Sequence, residues 1–259
     1  MYLDRIIARK REQWANGALA GAAEARREPA SSGRLRDALC GDHVAVIAEV
    51  KPRSPSKGEL WPVERAVPLA RTYASSGASA VSVLAEEEFF GGSPALVAAV
   101  AADPGVDVRQ VALAHASGAD GLLVIVRALD DAELRGVTQA AWECGLDPLH
   151  ECFSERDLDR ALSVGADLIG INNRDLQTFD VDLATGARLR ALVPPGVVTV
   201  SESGLAGPAD VDAIGRQGFD ACLVGEALLT SADVASAVAG MSGIRRATRL
   251  VDPQHSGAA

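Results

Sequence analysis

The chain has 259 residues, a formal net charge of −10, and 48% hydrophobic but only 4% aromatic residues. That length suits one large α/β domain, the charge repels a nucleic-acid backbone, and a core poor in rings must be built from Ala, Val, Leu and Ile. The four cysteines, Cys40, Cys144, Cys152 and Cys222, and the four histidines have no ligand-like spacing, so reduced thiols and no metal are expected. No apolar signal core opens the chain and no apolar run reaches spanning length, which leads us to expect a soluble cytoplasmic protein with no membrane partner.

Leu3 to Ala22 sets Leu3, Ile6, Ile7 and Trp14 among charges, the pattern of an amphipathic helix expected to cap the bottom of the fold. A small-residue linker near Pro29 to Gly33 and a short helix near Leu35 to Cys40 follow. Val44 to Val50 then reads as a buried strand, and alternation projects Glu49 and Lys51 to one face at its C-terminal end. Pro52 and Pro55 end that strand, while Ser54, Ser56 and Gly58 offer hydroxyls and a backbone able to approach a ligand. The chain has three lysines, Lys10, Lys51 and Lys57, and two of them lie in this stretch.

A rhythm follows in which a helix closes on glycine and a strand begins at once, at Gly77, Gly118, Gly165 and Gly218. The strands are Val81 to Leu84, Leu122 to Val126, Ile169 to Asn172 and Cys222 to Val224, with further ones at Pro148 to Cys152 and Val197 to Ser201. Helices are expected near Pro62 to Ser75, Asp130 to Cys144, Ser154 to Val164, Leu183 to Leu192, Pro208 to Arg216 and Ser231 to Arg246. Short apolar strands alternating with helices indicate a parallel sheet covered on both faces. A strand count near eight, no Gly-x-Gly-x-x-Gly after the first strand, and polar residues at many strand ends favour a (β/α)8 barrel over an open sheet. The expected organisation is one domain, with a helical extension at 1–42, the barrel at 43–247 and a flexible tail at 248–259.

In a barrel the strand ends surround one mouth. They bring there Glu49 and Lys51, Phe90, Glu151, Asn172 and Arg174, Glu202 with Ser203 and Gly204, and Gly225 with Glu226. Carboxylates, a lysine and an arginine in an apolar cavity perturb one another's protonation, as acid–base work requires. The loops after the last two strands are where such barrels bind phosphate. His150 should point away from Glu151 and serve packing.

The segments Ile47-Ala48-Glu49-Val50-Lys51, Ser54-Pro55-Ser56-Lys57-Gly58, Phe89-Phe90-Gly91-Gly92-Ser93, Gly170-Ile171-Asn172-Asn173-Arg174-Asp175-Leu176, Ser201-Glu202-Ser203-Gly204 and Leu223-Val224-Gly225-Glu226-Ala227-Leu228 together resemble, in order, the motifs of the indole-3-glycerol phosphate synthase family. The resemblance implies a TIM barrel of the ribulose-phosphate-binding type with an N-terminal helical extension, and a reaction without cofactors. The substrate would be a small phosphorylated molecule, 1-(2-carboxyphenylamino)-1-deoxyribulose 5-phosphate, cyclised with loss of carbon dioxide and water. It also implies Lys51, Glu151, Glu49, Asn172, Arg174 and Glu202 around the reacting atoms, Glu151 as general base and Lys51 as proton donor or charge stabiliser. Ser54, Gly204, Gly225 and the backbone of Glu226 would hold the phosphate, Phe90 would pack near the anthranilate ring, and Ser203 and Arg174 would also bind the substrate. A monomer or weak oligomer is expected.

The family's third strand runs into a motif whose lysine is its principal general acid, and here that motif is absent. The interval from Gly77 to Gly118 is shorter than either later interval between the rhythm glycines, so the third strand is expected to be missing and its βα unit shortened. Arg109 lies near the gap but holds its proton too tightly to donate it easily. Two functions follow: a synthase in which Lys51 carries the acid role, or a barrel that keeps phosphate-ligand binding without turnover.

Overall fold

The computed structural model describes residues 5, 8, 9, 12, 33–55, 57–103, 111–112, 118–175 and 178–247. Eight parallel strands close into a barrel: β1 Ala45–Val50, β2 Ala80–Val83, β3 Val111–Ala112, β4 Gly121–Ile125, β5 Asp147–Cys152, β6 Leu168–Asn172, β7 Val198–Glu202 and β8 Ala221–Val224, with β1 hydrogen-bonded to both β2 and β8. The helices are α1 Arg34–Ala38, α2 Ala66–Ser75, α3 Pro94–Ala101, α4 Asp131–Glu143, α5 Glu155–Ser163, α6 Leu183–Arg190, α7 Pro208–Arg216, a short α8 Glu226–Leu229 and α9 Val234–Met241. None is long and apolar enough to cross a membrane, among the described residues.

The rhythm glycines earn their place by backbone geometry. Gly77, Gly118, Gly165 and Gly218 have φ of 101, 83, 85 and 82°, the left-handed region that a side chain disfavours. Each therefore turns the chain sharply into the strand that follows.

Strand alternation divides the apolar residues into two cores. Val46, Ala48, Ile169, Ile171, Cys222 and Val224 face the helices. Ala45, Ile47, Leu149, Leu168, Val198 and Val200 fill the barrel interior. Continuing the interior face of β1, β5, β6 and β7 by two residues reaches Glu49, Glu151, Gly170 with Asn172, and Glu202. His150, on the opposite face of β5, is buried against α4 with its Nε2 2.9 Å from Thr138 Oγ1. Burial pushes its pKa down to about 4, so it is neutral at physiological pH and serves packing.

Two expectations change. The bottom of the barrel is plugged by α1, whose Leu35 and Leu39 join the interior core. Gly33 and Arg36 donate their backbone N–H groups to Asp147 Oδ1 and Oδ2, at 2.7 and 3.0 Å, fixing α1 beneath β5. Of the earlier amphipathic segment only Arg5, Ala8, Arg9 and Glu12 are described. Arg5 lies over the Phe89 ring and Arg9 pairs with Glu88 at 3.2 Å, both on the loop after β2, so these residues meet the mouth side and not the bottom. The third strand is also present: Val111–Ala112 pairs with Val81 and Ser82 of β2 and, through Ala112, with Gly121 of β4. Two residues suffice to complete the ring of strands, and no helix is described between β3 and β4. Arg109 and the tail at 248–259 lie outside the described residues.

Three smaller differences follow from local chemistry. The last helix stops at Met241, with Ser242 extended at ψ 151° and Gly243 left-handed, instead of running to Arg246. An unforeseen helix, α3, starts where Ser93 Oγ accepts the Leu96 N–H at 3.0 Å and Pro94 occupies the first turn. The stretch after β1 is a small antiparallel hairpin, pairing Arg53 with Glu59 and Ser54 with Gly58, and not a plain loop.

Leu35 is buried under the barrel, against the backbone of Gly121. Leu35→Ala should cost about 2–5 kcal/mol by opening a cavity in that floor, read as a lower urea midpoint with an unchanged slope.

Candidate active site

β1 delivers Glu49 and Lys51 to the mouth on the same face, and the Lys51 ammonium binds Glu49 Oε1. Glu49 is buried and Lys51 half-buried. Beside them, Gly225 follows β8 directly, and a Cβ there would stand 2.5 Å from Glu49 Oε1. A residue larger than glycine there would displace the carboxylate that holds Lys51.

Across the mouth, Glu151 at the end of β5 is 6% exposed and Glu202 at the end of β7 only 3%. Between them β6 places Gly170 level with Glu151, and Asn172 level with Glu202. Asn172 Nδ2 donates to Glu151 Oε1 at 2.7 Å, while Asn172 Oδ1 accepts the Arg174 N–H at 2.9 Å. The amide is thereby fixed in one orientation. Glu202 leans over Gly170: a Cβ on that glycine would overlap Glu202 Oε1, and this oxygen has no hydrogen-bond partner among the described residues. Its carboxyl lies beside that of Glu151.

Burial, then the charge of Glu151, holds the Glu202 carboxyl well above the usual carboxylate range. Burial raises Glu151 as well, opposed by the Asn172 hydrogen bond and the positive charge of Arg127. The two carboxyls titrate as a pair.

The phosphate-loop candidates leave neighbouring strands, since Glu202 pairs with Leu223. Ser203 has a positive φ of 64° and Gly204 one of 83°, so the chain turns sharply after β7. Asn173 Nδ2 holds that turn by donating to the backbone oxygens of Glu202 and Ser203 at 2.9 and 3.1 Å. Glu226 opens α8 and pairs with Lys57 of the hairpin at 3.5 Å. Ser54 Oγ accepts the Lys57 N–H at 3.2 Å, closing the hairpin tip.

Two other sequence candidates are engaged in their own loops. Arg174 Nη1 donates to Phe179 O at 3.0 Å and so braces its own loop. Phe90 is half-buried, with its N–H on Glu86 Oε2 and its carbonyl accepting from Arg53 N.

Arg127, which sequence reasoning missed, follows β4. Its guanidinium stacks on the Phe153 ring, 3.9 Å from the centroid, and donates to Asp157 Oδ2 at 3.0 Å. The signal was available: it is a basic residue straight after an apolar strand, the same rule that picked out Lys51. Arg53 was missed too; it ties the hairpin to the next loop by donating to the carbonyls of Glu87 and Glu88 at 2.7 and 2.6 Å.

A buried carboxyl pair opposite a carboxylate–ammonium pair can exchange protons with a bound molecule from two sides. Comparison with known proteins agrees in kind. The model of the indole-3-glycerol phosphate synthase family matches residues 3–241. Indole-3-glycerol phosphate synthase 2 of Streptomyces coelicolor is 46% identical over 209 residues, covering 77% of this chain and 81% of that relative. The synthase of a Nocardioides species is 46% identical over 209 residues, covering 77% and 80%. Among solved structures, thiamine phosphate pyrophosphorylase from Pyrococcus furiosus shares the fold alone, with a TM-score of 0.58 at 16% identity over 80% of this chain and 95% of that one. With a family model spanning most of its length and relatives this similar, the chain belongs to the indole-3-glycerol phosphate synthase family.

Proposed function

We propose that the chain is an indole-3-glycerol phosphate synthase in which Lys51 takes the acid role of the missing third-strand lysine. It would cyclise 1-(2-carboxyphenylamino)-1-deoxyribulose 5-phosphate, releasing carbon dioxide and water, without a cofactor, as a cytoplasmic monomer or weak oligomer. The observation that carries this reading is the ion pair of Lys51 with Glu49, which holds the barrel's one strand-end ammonium at the mouth with the Glu151 and Glu202 pair.

The chemistry assigns the roles. Ring closure joins the ring carbon bearing the carboxylate to the ribulose carbonyl carbon, and the carbonyl oxygen must gain a proton as its π pair moves onto it. Lys51 donates that proton, and Glu49 holds its ammonium at the mouth beforehand. Glu151, oriented by Asn172, accepts the proton lost from the methylene next to nitrogen when the indole double bond forms. Ser54, Gly204, Gly225 and the backbone of Glu226 form the phosphate end, with Ser203 beside Gly204. Phe90 and Arg174 contact the rest of the substrate.

One observation favours a second reading, a barrel that binds phosphorylated ligands without turnover: no lysine follows Lys57 in the chain. The two separate in one assay. Purified protein is given the carboxyphenylamino-deoxyribulose phosphate and indole fluorescence is followed, with Glu151→Gln as blank. Product above the blank supports the synthase; heat of binding to indole-3-glycerol phosphate with no turnover supports the second reading.

Lys51→Met should lower kcat by about 10²–10⁴ in the fluorescence assay, the usual contribution of a positioned proton donor. Full activity in that variant would remove Lys51 from the mechanism. Gly170→Ala should lower kcat about 10²-fold, because its methyl displaces the Glu202 carboxyl from Glu151. Its circular dichroism spectrum should match the wild type.

A further inference from the structure

Three carboxylates, Glu49, Glu151 and Glu202, are buried together at the mouth, and the ammonium of Lys51 is bound to Glu49. Among the described residues no cation forms an ion pair with either of the other two. Their surroundings are unequal. Glu151 accepts a hydrogen bond from Asn172 and feels Arg127, whose own ion pair is with Asp157. Glu202 has neither. Its Oε1 is buried over Gly170 with no hydrogen-bond partner among the described residues, and its carboxyl lies beside that of Glu151. Two neighbouring buried carboxyls repel if both ionise and can hydrogen-bond if one keeps its proton, and an ionised Glu202 would face the charges of Glu151 and Glu49 with no compensating donor among the described residues.

We infer that Glu202 holds the proton of this pair at neutral pH and passes it through Glu151 to the substrate, so that the pair supplies the second of the two protons the reaction needs. The inference rests on the synthase reading above. The carbonyl oxygen leaves as water and so takes up two protons, while one is released from carbon. Lys51 gives the first as the carbon–carbon bond forms, and the carboxylate leaves as carbon dioxide, its bonding pair returning to the ring. The carbon–hydroxyl bond then breaks with its pair on oxygen, which takes the shared proton through Glu151. Glu151 next removes the methylene proton, whose bonding pair becomes the indole double bond, and the carboxyl pair is restored. Lys51 regains its proton from solvent. Glu202 touches no reacting atom in this scheme: it is a positioning residue that keeps a proton within reach of Glu151.

The test is Glu202→Gln, whose amide N–H can still donate to Glu151 but has no proton to transfer. A carboxyl raised by folding contributes stability that is fully present below its unfolded value, about 4.3, and is lost as pH rises through the folded one. Wild type should therefore lose melting temperature relative to Glu202→Gln as pH rises, the gap widening by at least about 2 °C between about pH 5 and pH 8. A gap independent of pH would overturn the inference. This readout needs no turnover, so it stands even if the synthase reading fails. In the activity assay, kcat of the variant should fall about 10²-fold or more, and the alkaline limb of its pH profile should shift to higher pH. An unchanged profile would also overturn the inference, since a merely structural loss would lower the rate without moving the limb.

Discussion

The constraint on which the rest depends is charge. The barrel mouth buries three carboxylates and offers a single ammonium on its strand ends. Lys51 binds Glu49, so Glu151 and Glu202 must settle their charge between themselves. Every feature around them serves that arrangement. Gly170 and Gly225 lack side chains where the carboxyls of Glu202 and Glu49 lie, and Asn172 commits its amide to Glu151. With these three carboxyls buried, weak donors and small clearances decide which group holds a proton.

The scaffold makes that precision possible from the opposite end. α1 seals the floor with Leu35 and Leu39, and Asp147 grips its first turn through two backbone N–H groups. Above the floor, interior Val, Leu and Ile side chains fill the barrel, so the polar residues stand on strand ends with an apolar layer beneath them. The hairpin after β1 and the loop after β2 are joined through Arg53, and Lys57 reaches Glu226 on the far side of β1. The rim of the mouth is thus tied across several loops.

Much of this was legible in the residues. Glycines with positive φ, short β-branched strands and period-two alternation located seven of the eight strands, and alternation alone placed Glu49 with Lys51 and turned His150 outward. What escaped had weak local signals. Val111–Ala112 is too short to show any periodicity and is a strand only because β2 and β4 lie on either side of it. α3 is Pro-Ala-Leu-Val-Ala-Ala-Val-Ala, with no charged face to reveal a helical period. The plug role of α1 depends on contacts with Asp147 and Gly121, far away in sequence. The side-chain pairing of Glu202 with Glu151 was equally hidden, because it requires β6 between them to carry glycine at the level of Glu151.

The most direct test of the charge account is infrared spectroscopy of protein labelled with carbon-13 in its glutamate carboxyls, at neutral pH and with no ligand added. The account predicts the carbonyl stretch of one protonated carboxylic acid, shielded from bulk water and lost in Glu202→Gln. A spectrum holding only ionised carboxylates, or a protonated band that survives in that variant, would contradict it.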